Sequence, residues 1–258
     1  MSERARGSAP GAGSAAAAFP GATAVTVLDV YDWAAPDGLP GGSAHVHLAS
    51  AEGYVVLSGA GRLQTLSGAG YAETPLRPGD CLWFTPGTIH RLVNDGELRL
   101  LVVMQNAGLP EHGDAVLTFP AKVLADPAAY ARAASLGAAG PGADLAAAAR
   151  RRAALAVEGY LALREQVAEK GPGALDGFYA AALRLAGGRA AGWRDLWRAG
   201  ALAAAELTGE HLDAIGAGVP GHLDAAALWR IERPAGERGY GMCGRLTTYP
   251  ASRAVRAG

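Results

Sequence analysis

Three histidines and one glutamate occur in two short segments of the sequence, roughly forty residues apart. His45, His47 and Glu52 lie in the first segment, and His90 lies in the second. Three imidazoles and one carboxylate form a suitable ligand set for one divalent transition metal, such as iron, manganese, zinc or nickel. A set of this size leaves coordination positions open for a substrate, water or dioxygen. The sequence therefore predicts a single metal site.

Local patterns indicate that β-strands position these ligands. Residues 44–48 have a strand pattern, and because alternate side chains of a strand share a face, His45 and His47 point to the same side. Glu52 opens the next apolar run after a short turn, so a hairpin can bring it back beside the two histidines. His90 opens a further strand after a turn at residues 85–87.

The two segments resemble the two motifs of the cupin family. The first, Gly42 to Gly59, contains His-x-His, a glutamate after four intervening residues, and a glycine after six more. The second, Gly79 to Asn94, begins with Gly-Asp and has a glycine three residues before its histidine and an asparagine four residues after it. The family usually has Pro-x-Gly at the turn, whereas this chain has Thr85-Pro86-Gly87, with the proline shifted by one residue.

The resemblance covers roughly residues 24–107. It implies a small antiparallel β-barrel of jelly-roll type that holds a metal ion through His45, His47, Glu52 and His90. The resemblance to cupins with this ligand set implies a dioxygenase, a decarboxylase or a sugar isomerase, and it does not choose among these reactions. Glu52 is the candidate catalytic residue, as a ligand in one state and a base in another. The alternative is a catalytically silent cupin that binds or senses a small molecule.

Strand alternation also suggests which residues line the barrel. Counting from Glu52, Tyr54 points inward, and counting from His90, Leu92 points inward while Arg91 points outward. Trp83 and Gln105 are further candidates for the substrate-binding wall, together with Tyr54. This largely apolar lining is typical of a site for a small organic ligand held mainly by the metal.

Composition limits the partners and the compartment. The 258 residues carry a formal net charge of −1 and two cysteines. We expect no nucleic-acid partner and no membrane span, and no disulfide framework. Cys81 is expected in a buried strand as a small apolar side chain. The expected location is the cytoplasm.

The sequence predicts three regions and a mainly β fold with added helices. Residues 1–23 are expected to be a disordered tail, residues 24–120 the barrel, and residues 121–258 an alanine-rich helical region with a terminal β segment. The predicted helices and connections are a helix at 127–136, a linker at 137–142, helices at 145–170, 174–185, 190–207 and 209–216, and a hairpin around 234–236.

The role of the helical region is open. It could cap one mouth of the barrel, pack a homodimer, or form a separate domain. The run Arg150-Arg151-Arg152 is interpreted as a solvated helix face, and His211 and His222 as structural or surface residues.

Overall fold

The computed structural model describes residues 18–137 and 144–257. The first seventeen residues of the predicted tail and most of the predicted linker at 137–142 lie outside the described residues. The described part is an antiparallel β-barrel followed by helices, as the sequence predicts. Within these two ranges no helix has both the length and the apolar character needed to cross a membrane.

Seven β-strands precede residue 120 in the described part of the chain. The strand-like runs at 53–57 and 62–66 lie in one long strand, and those at 90–93 and 98–104 lie in another. The strands are β1 (Ala24–Val30), β2 (His45–His47), β3 (Glu52–Ser67), β4 (Gly70–Leu76), β5 (Cys81–Phe84), β6 (Ile89–Met104) and β7 (Ala115–Leu117).

The two long strands β3 and β6 pair along most of their length, and their register shifts between Val56 and Gly61. Gly59 lies in this irregular stretch with φ of 78°. A side chain at Gly59 would overlap the backbone of Glu97, so both the conformation and the close approach require glycine. The irregularity lets one strand contribute to two parts of the barrel wall.

Six α-helices lie in the described part of the helical region. They are α1 (Ala121–Leu124), α2 (Pro127–Ala134), α3 (Leu145–Lys170), α4 (Asp176–Ala186), α5 (Ala190–Trp197) and α6 (Ala203–Gly216). The bounds of α3 match the prediction: the Asp144 side chain accepts a hydrogen bond from the amide of Ala147, and Gly171 ends the helix. A π-helical segment at 198–202 joins α5 to α6, so the two helices predicted at 190–207 and 209–216 form one run.

The C-terminal β segment returns to the barrel. It contains β8 (Leu228–Arg230), β9 (Gly239–Tyr240), β10 (Gly244–Thr248) and β11 (Val255–Ala257). β10 pairs with β1 and β9, while β8 pairs with β11 in a separate two-stranded sheet. The hairpin predicted around residues 234–236 is therefore wrong, because the chain turns between β9 and β10 instead. The predicted domain boundary at residue 120 therefore separates β1 from β10, although these two strands pair in one sheet.

The helices share a hydrophobic core with the barrel. Val46, Leu66 and Ile89 from the strands pack in one cluster with Tyr160 of α3 and Phe178 of α4. At Gly159, α3 approaches so closely that a side chain would overlap the carbonyl oxygen of Thr118. A second cluster fills the barrel interior and includes Leu28, Tyr54, Leu63, Leu92 and Leu100.

Two residues are placed differently from the prediction. Arg91 points away from the barrel interior as expected, but it is fully buried because the segment at 37–39 covers it. Its Nη2 donates to Oδ1 of Asp37 at 3.1 Å and to the carbonyl oxygen of Leu39 at 3.2 Å. Cys81 is exposed, and the expectation that it is buried is wrong, because its side chain points to the outer face of β5.

Candidate metal centre

The barrel brings together the four predicted metal ligands, which we call the four-residue cluster: His45, His47, Glu52 and His90. The two histidines of β2 share one face, Glu52 opens β3, and His90 lies opposite His45 in the pairing of β2 with β6. All four side chains are buried, and one ligand atom from each lies within 4.8 Å of the others. Separate strand positions therefore converge on one point.

Glu52 lies at the centre of the four-residue cluster. Its Oε2 is 3.1 Å from Nε2 of His90 and 3.3 Å from Nε2 of His47. Oε2 of Glu52 and Nε2 of His90 are both buried without a well-aligned hydrogen-bond partner. Buried polar atoms of this kind are costly unless another group satisfies them.

The outward-facing nitrogen of each imidazole has an acceptor beside it. Nδ1 of His45 is 3.1 Å from the carbonyl oxygen of Ser43, and Nδ1 of His90 is 3.1 Å from that of Thr88. A carbonyl oxygen only accepts, so these contacts assign the proton to Nδ1 and leave Nε2 of both rings as a free electron-pair donor. This is the usual second-sphere arrangement of metal-binding histidines.

The third imidazole is held by Asp114, a residue that the sequence analysis did not identify. Oδ2 of Asp114 is 3.3 Å from Nδ1 of His47, and the carboxylate is fully buried. Its Oδ1 accepts hydrogen bonds from the amides of Leu48 at 3.0 Å and Ala49 at 2.7 Å. Asp114 immediately precedes β7, which pairs with β2. The short apolar run at 115–117 is therefore the sequence signal that could have identified Asp114.

Charges within the site shift several pKa values. Burial raises the pKa of Glu52, but the close contacts with His47 and His90 outweigh it and hold the pKa well below its usual value. Burial lowers the pKa of His47, yet the contacts with the carboxylates of Asp114 and Glu52 raise it to about 9. Burial lowers the pKa of His45 well below its usual value, and the charges of the neighbouring histidines act in the same direction. The site thus contains an anionic carboxylate next to at least one neutral imidazole.

The residues present fit a transition-metal ion. Imidazole nitrogens and a carboxylate oxygen are ligands that iron, manganese, zinc and nickel share. Their burial, their mutual proximity and the oriented outer nitrogens are features of a formed site. A divalent ion would satisfy the buried atoms of Glu52 and His90 that lack well-aligned partners.

Aromatic side chains form part of the wall beside the site. Phe84, which the sequence analysis missed, packs against His90 with ring centroids 4.3 Å apart and against Tyr54 with centroids 5.5 Å apart. Tyr54 is buried as predicted, and its hydroxyl oxygen lacks a hydrogen-bond partner. Burial and the neighbouring Glu52 carboxylate raise the pKa of Tyr54.

Two predicted substrate-binding residues lie outside this wall. Trp83 is 75% exposed and occupies the opposite face of β5 from Phe84, so the strand phase that would turn it inward is not the one observed. Gln105 is also exposed, and its Oε1 accepts a hydrogen bond from the amide of Ala51 at 3.2 Å. Both residues nevertheless line one open cavity of about 380 Å³ together with Glu52 and Tyr54.

A further residue near the site comes from the C-terminal segment. Sγ of the buried Cys243 lies 3.9 Å from Nδ1 of His45 and 3.7 Å from the carbonyl oxygen of Ser43. Burial and the charge of Glu52 raise the pKa of Cys243, which keeps the thiol protonated. The segment that follows the helices therefore completes the packing around one ligand.

Comparison with known proteins identifies the barrel. Residues 35–104 match the family model of the cupin domain. The barrel belongs to the cupin superfamily. This match confirms the resemblance drawn from the two sequence motifs, and its range lies within the predicted 24–107. No curated protein sequence matches the chain.

Several solved structures are similar to part of this cupin. A double-stranded β-helix protein from Klebsiella pneumoniae is 22% identical with a TM-score of 0.27, over 32% of this chain and 66% of that one. Pac13, a nucleoside dehydratase from Streptomyces, is 18% identical with a TM-score of 0.26, over 32% and 58%. A predicted oxalate decarboxylase from Thermotoga maritima is 22% identical with a TM-score of 0.25, over 32% and 64%. The matched region spans less than two thirds of each of these proteins.

Proposed function

We propose that this cupin is a mononuclear metalloenzyme that acts on a small organic molecule. The observation that supports the proposal most strongly is the four-residue cluster, whose ligand atoms lie within 4.8 Å of one another in a buried site. A metal ion bound there supplies Lewis-acid or dioxygen chemistry. The reaction classes compatible with this ligand set are dioxygenation and the isomerisation of sugars or keto acids.

The protein's own residues would prepare the site for such chemistry. Asp114 and the carbonyl oxygens of Ser43 and Thr88 lie beside the outward-facing nitrogens of the three imidazoles and orient the rings. Tyr54 and Phe84 form an apolar wall that limits the access of water. A small, largely apolar substrate fits this lining better than a highly charged one.

Glu52 is the proposed catalytic residue. Its carboxylate is held anionic by His47 and His90, and it is positioned to accept and return a proton at Oε2. Glu52→Gln keeps the size of the side chain but removes its charge and its basicity. Three imidazoles remain for the metal, so binding should weaken without being abolished.

The test begins with a substrate screen on protein loaded separately with iron(II), manganese(II), zinc(II) or nickel(II). Keto acids, diketones, catechols and free sugars are offered to each form, with dioxygen uptake and product formation as the readouts. For a substrate that is turned over, Glu52→Gln should lower kcat by about a hundredfold or more, the usual scale of acid–base assistance. The matched control is Glu165→Gln, an exposed glutamate of α3.

The screen also separates the two classes of function. Unchanged kcat in metal-loaded Glu52→Gln would reduce Glu52 to a structural role. Compounds that bind tightly to every metal form without turnover would contradict the enzyme proposal and support a cupin that senses a small molecule.

A further inference from the structure

A second concave site lies between α2 and α3, and it shares no residue with the metal centre. This arginine pocket is a cavity of about 280 Å³ whose lining includes Arg132, Ser135, Arg151, Arg152 and Leu155. Three arginines from two helices that are separated in sequence therefore line one cavity. The interpretation of Arg151 and Arg152 as part of a simple solvated face does not account for this convergence.

Arg152 is a largely buried cation without an anionic partner. Its Nη1 donates to the carbonyl oxygen of Ala134 at 3.3 Å, and its Nη2 donates to that of Gly241. Its Nε is buried and has no hydrogen-bond partner. Burial lowers the pKa of Arg152, and the neighbouring Tyr31 and Cys243 offset this only in part. Burying a charge in this way is unfavourable unless an opposite charge is supplied.

The surroundings supply little negative charge to the arginine pocket. Among the described residues, no carboxylate lies within ion-pair distance of Arg151 or Arg152. Arg132 has one contact, 4.0 Å from Asp126, and both side chains are mostly exposed. An exposed pair at this distance contributes little, so Arg132 is available to a ligand.

We propose that the arginine pocket binds the phosphate group of a small molecule. A phosphate offers acceptor oxygens in several directions, which matches the guanidinium groups of Arg132 and Arg151 and the Ser135 hydroxyl better than a single carboxylate does, and the charge of Arg152 adds to the attraction. The apolar side chain of Leu155 leaves room for a small organic substituent beside the phosphate. The volume of the cavity, about 280 Å³, lies just below the range of drug-sized ligand sites, roughly 300–1,000 Å³, and suits a small phosphate compound.

Isothermal titration calorimetry of the full chain, at constant ionic strength and with chloride as the only other anion, tests the proposal. The two probes are inorganic phosphate and phenyl phosphate. Arg132→Gln and Arg151→Gln are the test variants, because both residues are exposed and neither substitution should disturb folding. The matched control is Arg150→Gln, which removes the same charge from the same run but does not line the pocket; its guanidinium stacks 4.8 Å from the Trp33 ring centroid.

We expect saturable binding of one phosphate group per chain. Each test variant should weaken it about tenfold or more, the scale of one hydrogen bond to a charged group. Arg150→Gln should bind as the parent does. Tighter binding of phenyl phosphate than of inorganic phosphate would assign the site to a phosphate ester, and the reverse order would assign it to the free ion.

Two results would overturn the proposal. One is the absence of saturable binding of either probe at millimolar concentration. The other is an equal loss of affinity in Arg150→Gln and in the two test variants, because that result would mean that net charge alone attracts the anion. Neither result depends on the metal centre, so the two sites are tested separately.

Discussion

Replacing Asp114 with asparagine is expected to weaken metal binding while leaving the fold intact. Asparagine has nearly the same shape, and its carbonyl oxygen can still accept the hydrogen bonds from the amides of Leu48 and Ala49. The amide nitrogen then takes the place of Oδ2, 3.3 Å from Nδ1 of His47. Because that nitrogen is a donor, it favours the His47 tautomer with the proton on Nε2, which cannot bind a metal.

The expected magnitude follows from the position of Asp114 outside the ligand set. Removing the partner of a metal-binding histidine typically costs about 10- to 100-fold in metal affinity. This corresponds to about 1.4–2.8 kcal/mol. The four ligands themselves are unchanged in Asp114→Asn, so a complete loss of binding is not expected.

Competition with a chromophoric chelator measures this change, with zinc(II) or cobalt(II) as the probe. The matched control is Asp126→Asn, because Asp126 also accepts a backbone hydrogen bond, from Ala128 at 2.8 Å, but contacts no histidine. Metal affinity of Asp114→Asn equal to that of the parent, in protein with an unchanged circular dichroism spectrum, would refute the reasoning.

Two predictions concern stability and are measured by urea unfolding. Gly159→Ala should lower the free energy of unfolding by about 1–3 kcal/mol, because the new Cβ overlaps the backbone at Thr118. The control is Gly177→Ala, where the new Cβ meets open space and stability should not fall. Equal unfolding midpoints for the two variants would contradict the close contact at Gly159. Burial raises the pKa of Asp37, but the hydrogen bond and the charge of Arg91 outweigh burial and lower the pKa. The ion pair therefore stabilises the folded protein above about pH 4, and this stabilisation is lost as the pH falls through the folded-state pKa of Asp37. Asp37→Asn should cost about 3–5 kcal/mol at neutral pH and flatten the acid dependence below about pH 4; an unchanged acid profile would show that another carboxyl group causes it.

Local chemistry made part of this structure predictable. The metal ligands occur in two motifs whose spacing is set by strands and turns, so their convergence can be predicted from the sequence. Likewise, α3 has an aspartate at its start and a glycine at its end, and its bounds follow from these capping residues.

Contacts between distant segments were not predictable in the same way. β10 pairs with β1 across most of the chain length, and a short strand pattern gives no information about its partner. Asp114 is a ligand-orienting residue only because β7 lies beside β2. The faces of Trp83 and Cys81 depend on the phase of β5, a four-residue strand that is too short to show a clear alternation.

The burial of Arg91 and the convergence of three arginines have a related cause. A charged residue in a strand or on a helix is normally solvated, and only another segment folding over it can change that. Asp37 covers Arg91, and α2 and α3 together place Arg132 and Arg152 on the lining of one cavity. Such placements are properties of the tertiary fold.

Metal stoichiometry is the most direct test of the central claim that the four-residue cluster binds one metal ion. The full chain is purified without added metal, stripped with a chelator, reloaded with a single divalent ion and analysed by inductively coupled plasma mass spectrometry. We predict about one ion per chain in the parent and little or none in the double variant His45→Ala with His47→Ala. The control is the double variant His211→Ala with His222→Ala, which should keep full occupancy because these two histidines stack on each other and are not part of the cluster. Full occupancy in the first double variant would contradict the account.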